Sequence, residues 1–360
     1  MKTNVVEISK EARAVRDKEK AALQPGPLDG AYNAAELQDK KFPPPNWIIP
    51  NILPEGLSLL VAPPKTNKTF LSEHVALCVA AGEPVFGNYE TERGRVLYLD
   101  FEQSDALIQE RLKLLLPGRG KWPDALLFKN EFRSQAKGGL DDLKTIVEKE
   151  TWGKNGALPL RLIVIDTWAY FRGAPLSNTN TDLYRADVHE LKPLADFARK
   201  HHLALLIVHH TSKRVVNDGD DPFTAISGTT GVFATAETAL LIQPGQNGAS
   251  YTLTARGRRV KEISKALEFK NCQWSVLGEA RDYALSVNRR KVIEAIRALC
   301  AKGGYARVAE ITAEAEMSNG NVRKVLSQLA KEGRVIRHTG ALYSLPGLEA
   351  ETKALDLGGR

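Results

Sequence analysis

Cysteine is scarce in this 360-residue chain: Cys78, Cys272 and Cys300 lie far apart and form no C-x-x-C pair. That spacing excludes a disulfide framework and offers no zinc-ligand pattern. Long apolar runs are also lacking. No stretch of about 18 apolar residues occurs, so no membrane-spanning helix is expected. The opening M-K-T-N-V-V-E-I-S-K has no apolar signal core. Together these absences point to a reducing cytoplasm and to no membrane partner.

The most informative shortage is glycine at one loop. Leu57 to Val61 is an apolar run that reads as a short buried strand. It leads into Ala62-Pro63-Pro64-Lys65-Thr66-Asn67-Lys68-Thr69, and Phe70 continues into a helical pattern with Leu71, His74, Val75, Leu77 and Cys78. Strand, tight loop and helix, with Lys-Thr opening the helix, is the layout of a phosphate-binding loop. Helix-start N–H groups face the phosphates, the lysine neutralises them, and the hydroxyl holds Mg²⁺. Ala62 and Asn67 stand where the usual pattern has glycines. Position 67 needs a left-handed backbone to curl the loop, and Asn tolerates that conformation best among non-glycine residues. Position 62 needs only a small residue.

What is present fits a two-domain globular chain with a tail, at roughly 100–200 residues per domain. Hydrophobic residues make up 43%, and the net charge is +7, which suits an anionic partner. Residues 1–42 are polar and alternate in charge, an arm or linker with a surface helix expected from Glu7 to Leu23. Trp47 reads as a packing residue under the sheet. Strands are then expected at 95–102, 126–128, 161–167 and 203–208. Helices are expected at 104–116, with Leu107, Ile108, Arg111, Leu112 and Leu115 on one face, at 140–151 and at 183–200. Strands alternating with helices give an α/β layer with a largely parallel sheet over residues 43–280. Residues 214–230 read as a mobile loop, strands follow at 238–243 and 251–255, and 267–270 and 274–277 read as a closing antiparallel edge.

Ligands bind at the carboxyl ends of strands in such sheets. Glu102, Asp166 and the pair His209-His210 all fall at strand ends, as the phosphate loop does. Asp166 suits the acid that orders a Mg²⁺-bound water. Glu102 suits the base that orients the attacking water, with Asp100 as its competitor and a surface pairing with Arg111 as its plainer role. One of the histidines is placed to contact the γ-phosphate, or both simply pack. Arg256-Gly257-Arg258-Arg259 follows a strand; an arginine supplied in trans stabilises transition-state charge, and a basic turn or DNA contact is the alternative.

In order, a strand with its phosphate loop, Y-L-D-F-E, I-V-I-D-T, H-H-T-S-K and S-G-T-T resemble RecA-type ATPases over about 45–280. More closely they resemble the RepA-type hexameric replicative helicases of plasmids and their phage and mobile-element relatives. The resemblance implies a RecA-like P-loop NTPase core that binds ATP with Mg²⁺. It implies Lys68 and Thr69 as phosphate and metal residues, Glu102 as catalytic glutamate, Asp166 as metal aspartate and His210 as sensor. Arg256 and Arg258 match the basic-x-Arg finger of DnaB-like helicases. The RepA form has an arginine where this chain has Glu237. The implied assembly is a homo-oligomeric ring, a hexamer, with single-stranded DNA in its channel against loop 214–230 and with Lys213 and Arg214 at the loop's base. Other replication proteins are the remaining expected partners.

Residues 287–346 carry a different pattern. Helices are expected at 288–302, 308–315 and 319–332, the last capped by Ser318, and a two-stranded hairpin follows at 335–345. Three helices and a hairpin resemble a winged helix-turn-helix. Eleven Lys and Arg against five Glu put +6 of the chain's +7 in this module, which suits phosphate contacts. Asn319, Asn321, Arg323, Lys324 and Gln328 are the expected exposed face of a recognition helix, and Arg337 lies in the hairpin. A protein-contact role for the module is the alternative. Residues 347–360 form a tail. The function that follows is an ATP-dependent replicative DNA helicase; the alternative is an ATP-switched DNA-binding initiator or regulator that does not unwind.

Overall fold

The computed structural model describes residues 28, 30–149, 157–173, 183–211, 221–225, 230–245, 249–303 and 305–346. The helix expected at 7–23, Lys213, Arg214, most of loop 214–230 and the tail 347–360 lie outside the described residues. The chain divides into two compact units, Met1–Pro45 and Asn46–Arg360. In the first, α1 (Ala34–Gln38) is a short helix whose N-cap, Asn33, accepts from the Glu36 N–H. No helix among the described residues is long and apolar enough to cross a membrane.

The second unit opens on an antiparallel pair, β1 (Trp47–Ile49) and β2 (Leu53–Pro54). Along the chain then come β3 (Gly56–Ala62), α2 (Lys68–Ala81), β4 (Arg95–Asp100), α3 (Asp105–Leu115), β5 (Leu126–Lys129), α4 (Gly139–Lys149) and β6 (Leu160–Asp166). They are followed by α5 (Trp168–Arg172), α6 (Leu183–Lys200), β7 (Ala204–His210), α7 (Thr230–Thr235), β8 (Thr238–Pro244), β9 (Tyr251–Gly257), β10 (Ile263–Lys270) and β11 (Gln273–Glu279). One nine-stranded sheet collects them in the order β11-β10-β9-β8-β3-β7-β6-β4-β5. From β8 to β5 every pairing is parallel, and β9, β10 and β11 are added antiparallel. This is the mixed α/β architecture with a mostly parallel sheet that the sequence leads one to expect.

β3 sits in the middle, and all seven of its residues are buried. A strand covered on both faces reads as a continuous apolar run, because successive side chains enter opposite layers. Leu60 and Ala62 join one core with Val75, Val79 and Tyr98, and Leu57, Leu59 and Val61 join the other with Leu194, Phe171 and Ile207. The helix α2 is buried on nearly every side. In α3, Ile108, Leu112 and Leu115 turn inward as expected, but Leu107 is 39% exposed. Leu107 lies one position off the apolar stripe, near the capped N-terminus of the helix.

The chain then enters α8 (Ala280–Gly303), α9 (Val308–Glu314) and α10 (Asn319–Lys331), with β12 (Ala306–Arg307), β13 (Ile336–Arg337) and β14 (Leu342–Ser344). The strands form their own three-stranded sheet, β12-β14-β13. This part has a separate core of Val292, Ile296, Ile311, Val322, Leu326 and Leu329. The interval 281–286, left between domains in the sequence reading, is helical and belongs to α8. Ser318 caps α10 by accepting from the Asn321 N–H, as expected. The expected two-stranded hairpin gains β12 as a third strand, because Ala306 and Arg307 pair with Tyr343 and Leu342.

Candidate active site

The parallel register brings the carboxyl ends of β3, β4, β6 and β7 together: Ala62 lies beside His210, and Asp100 beside Asp166. A cavity of about 210 Å³ opens at this edge. Lys65, Thr66, Asn67, Lys68, Thr69 and Phe70 line it from one side; Glu102, Arg111, Asp166, Thr167 and His210 line it from the other. Ala62, Pro63 and Pro64, also expected to bind ligand, support this loop and do not line the cavity. Ala62 is fully buried at the end of β3. The Pro63 carbonyl accepts from Thr66 Oγ1 at 2.6 Å and from Lys68 Nζ at 3.0 Å.

Asn67 has φ 58° and ψ 30°, the left-handed conformation that the loop was expected to need. Lys65 shares it, with φ 62°. The loop therefore turns without glycine, and its curl points the start of α2 at the cavity. Burial lowers the Lys68 pKa, and the carboxylates of Asp166 and Glu102 pull it back up. The side chain is thus largely withdrawn from water and faces two acids.

Asp166 is 1% exposed, and burial raises its pKa to about 6. Hydrogen bonds from Thr69 and Tyr98 act in the other direction, while Asp100 and Glu102 raise it further. The Tyr98 hydroxyl donates to Asp166 Oδ2 at 3.0 Å. Oδ1 is buried with no hydrogen-bond partner among the described residues. A buried carboxylate oxygen without a partner is costly. One beside a threonine hydroxyl and a lysine fits a hydrated hard cation that also binds phosphate. Among the described residues no cluster of three or more His, Cys, Asp or Glu could cage a metal ion.

Glu102 is exposed at the cavity wall, and Thr167 Oγ1 donates to its Oε1 at 3.2 Å. Its competitor Asp100 is occupied. Oδ1 of Asp100 accepts from the N–H groups of Glu102 and Gln103, and Oδ2 accepts from Gln103 Nε2 at 2.6 Å. Arg111 does not pair with Glu102. It reaches Glu73 at 3.9 Å and lays its guanidinium over the Phe70 ring at 4.7 Å. His210 is half-buried, and its pKa is lowered by burial and then by Lys68, so the ring is neutral near pH 7. Its Nδ1 is buried without a partner among the described residues.

The AAA_25 family model, described as an AAA domain, matches residues 28–215, just over half of the chain. The chain belongs to this family. No curated protein matches it. An AAA domain supports ATPase activity and implies nucleotide binding, typically with Mg²⁺. In this AAA-domain chain the hard oxygen donors of Thr69 and Asp166 beside Lys68 fit that pair.

Two groups of expected residues lie elsewhere. β9 runs antiparallel to β8, so Arg256 and Arg258 stand at the edge of the sheet opposite the phosphate loop. Arg256 binds Asp221 at 2.6 Å and Glu262 at 2.7 Å, and it covers the Phe223 ring at 4.3 Å. Arg258 donates to the Ala234 carbonyl at 2.9 Å and sits 3.6 Å from Glu237. On α10, Asn319, Asn321, Arg323 and Lys324 are exposed, as is Arg337 on β13. Gln328 departs from the expected open face: it is half-buried, because it lies close to the inward stripe of Val325 and Leu329.

Several residues of the AAA-domain site escaped the sequence reading. Glu73 is fully buried in α2, where Gln103 Nε2 donates to it at 3.1 Å. Ser72 Oγ meets the Tyr98 hydroxyl at 2.7 Å. Thr167 and Arg111 line the cavity. A usable signal existed for two of them. An acid inside a helix that is apolar all round must be partnered, and Arg111 falls on the inward stripe of α3.

Proposed function

We propose that this AAA-domain protein is an ATP-driven DNA helicase of the ring-forming RepA-like class, serving replication of a plasmid, phage or mobile element. The observation that carries the ATPase half is the gathering of Lys68, Thr69, Glu102, Asp166 and His210 at one cavity, from four different strand ends. ATP phosphates lie against the first turn of α2. Lys68 exchanges the Pro63 carbonyl for phosphate oxygen. Thr69 would hold Mg²⁺ and Asp166 would order its water, and the bound ion would supply charge neutralisation at the phosphates. Glu102, fixed by the Thr167 hydroxyl, orients the attacking water, and neutral His210 contacts the γ-phosphate. Phe70 and Arg111 offer a flat, cationic wall to the base.

Arg256 and Arg258 lie too far from their own phosphate loop to serve it, so in this reading one of them serves a neighbouring subunit of a hexamer. Lys213 and Arg214 hold single-stranded DNA in the channel. The C-terminal part is a winged helix-turn-helix that holds duplex through Asn319, Asn321, Arg323, Lys324 and Arg337. Its three helices, its separate core and a 630 Å³ cleft beside α8, where Arg289, Arg290, Arg297 and Arg334 outnumber Asp282 and Glu294, support that use.

The second reading, an ATP-switched DNA-binding regulator, draws on a specific observation: both finger candidates are already engaged by groups of their own chain. Strand displacement from a forked duplex separates the two. ATP-dependent release of the strand supports the helicase; DNA-stimulated hydrolysis without release supports the regulator.

A further inference from the structure

Asn67 occupies the N-cap position of α2, where an Asn side chain ordinarily accepts from the helix's own N–H groups. Here it makes no such bond. Its Nδ2 instead donates to the Tyr251 hydroxyl at 3.0 Å, across 184 residues of sequence. Tyr251 opens β9 and is itself fixed by aromatic neighbours. Its ring is 5.2 Å from Trp274, which is 4.6 Å from Phe269, which is 5.7 Å from Phe70. The chain of rings thus leaves the antiparallel edge and returns to the phosphate loop three residues after Asn67.

We infer that Tyr251 is a positioning residue for the phosphate loop: it holds the Asn67 side chain off the first turn of α2 and keeps that turn's N–H groups open to phosphate. The inference rests on the ATP-site reading. The physical need is specific to this chain. A loop with glycine at position 67 takes the left-handed turn at no steric cost and carries no side chain that can cap the helix. Asn supplies the turn but brings a competing acceptor to the place where phosphate must sit. The bond to Tyr251 removes that competitor and fixes a backbone that glycine-free sequence holds less easily. Leu71 N–H already bonds the Asn67 carbonyl at 3.0 Å, so the groups at stake belong to Lys68, Thr69 and Phe70.

The test is a double-mutant cycle on the full chain, read by calorimetric ATP binding. Tyr251→Phe keeps the ring stack and removes the hydroxyl. In the Asn67 background it is expected to raise the Kd for ATP three- to tenfold, the usual worth of one hydrogen bond. In the Asn67→Gly background the same change is expected to move Kd less than twofold. Equal weakening in both backgrounds, or none in the native one, overturns the inference. Hydrogen exchange of the 65–70 amides without nucleotide is the second readout. Slower exchange of the Thr69 and Phe70 amides in Tyr251→Phe alone is expected, because the freed Asn67 side chain then caps them, and unchanged or faster exchange overturns the clamp even if ATP is not the ligand. If Lys68→Ala leaves ATP affinity intact, the ATP-site reading fails, and the exchange measurement still decides the clamp.

Discussion

Tyr98 donates its hydroxyl proton to one oxygen of Asp166, and the other oxygen of the same carboxylate is buried with no partner among the described residues. The aspartate is thus fixed by Tyr98 through one oxygen, and its carboxylate lies in the wall of the cavity that Thr69 also lines. Tyr98→Phe removes the bond and leaves Asp166 Oδ2 without its donor, while the Ser72 hydroxyl keeps its bond to the Thr69 carbonyl at 3.0 Å. A loss of about 1–3 kcal/mol in urea-unfolding stability is expected, the usual result of orphaning buried groups. The Asp166 carboxyl moves further up in pKa, so the Mg²⁺ concentration that half-saturates hydrolysis rises. Unchanged stability and Mg²⁺ dependence would show that the hydroxyl is idle.

Glu102→Gln is expected to bind ATP with near-native affinity and to lose roughly 10²–10⁴ in turnover, the range for a positioned base. Single-turnover hydrolysis beside equilibrium binding measures both. Asp100 does not replace it, because both of its oxygens hold the turn that follows β4. Hydrolysis at the native rate would move the base elsewhere.

Glu73 makes stability depend on pH. Burial raises its pKa from 4.5 to about 7, against the pull of Gln103 and Arg111. A carboxyl raised in the folded state binds its proton more tightly there than in the unfolded chain. The stabilisation is therefore full below pH 4.5 and is lost as pH rises through about 7. Glu73→Gln removes this dependence and keeps an acceptor for Gln103. Melting temperatures from pH 5 to 8 should show the variant gaining on the native chain as pH rises. Asp166 slopes the same way and is coupled to Glu73, so the difference reports Glu73 together with that coupling. Parallel curves would mean that Glu73 does not titrate in this window.

Arg323 and Lys324 are exposed on α10. If they touch phosphate, changing both to Ala should weaken duplex binding at all sequences. It should also lower the salt dependence of log K by about 2, near 0.9 per lost contact. An unchanged slope assigns the C-terminal part to protein contact.

The sheet was legible because its central strands are buried on both faces, and apolar runs such as Leu57 to Val61 or Leu162 to Ile165 have few other uses. The phosphate loop was legible through Lys68 and Thr69 despite its missing glycines, and Asn67 takes the backbone that its chemistry allows. Glu73, Gln103 and Tyr251 were not, for a physical reason. Each acts through a contact distant in sequence, and a lone Glu, Gln or Tyr carries no periodicity or spacing that announces a partner. The boundary at 281–286 was missed because the apolar stripe of α8, Val292, Ile296 and Leu299, begins after it, and Arg281 to Ser286 carries no comparable stripe.

That continuous α8 spans about 36 Å at the usual rise of 1.5 Å per residue. Its first turns touch β10 and β11, and its later turns carry Val292 and Ile296 into the C-terminal core. It is a lever arm with no hinge residue between fulcrum and load. A tilt of about 10° where it leaves the sheet, past Ala284, displaces its far end by about 5 Å, close to one helical turn. Small adjustments of the antiparallel edge are therefore enlarged at the module.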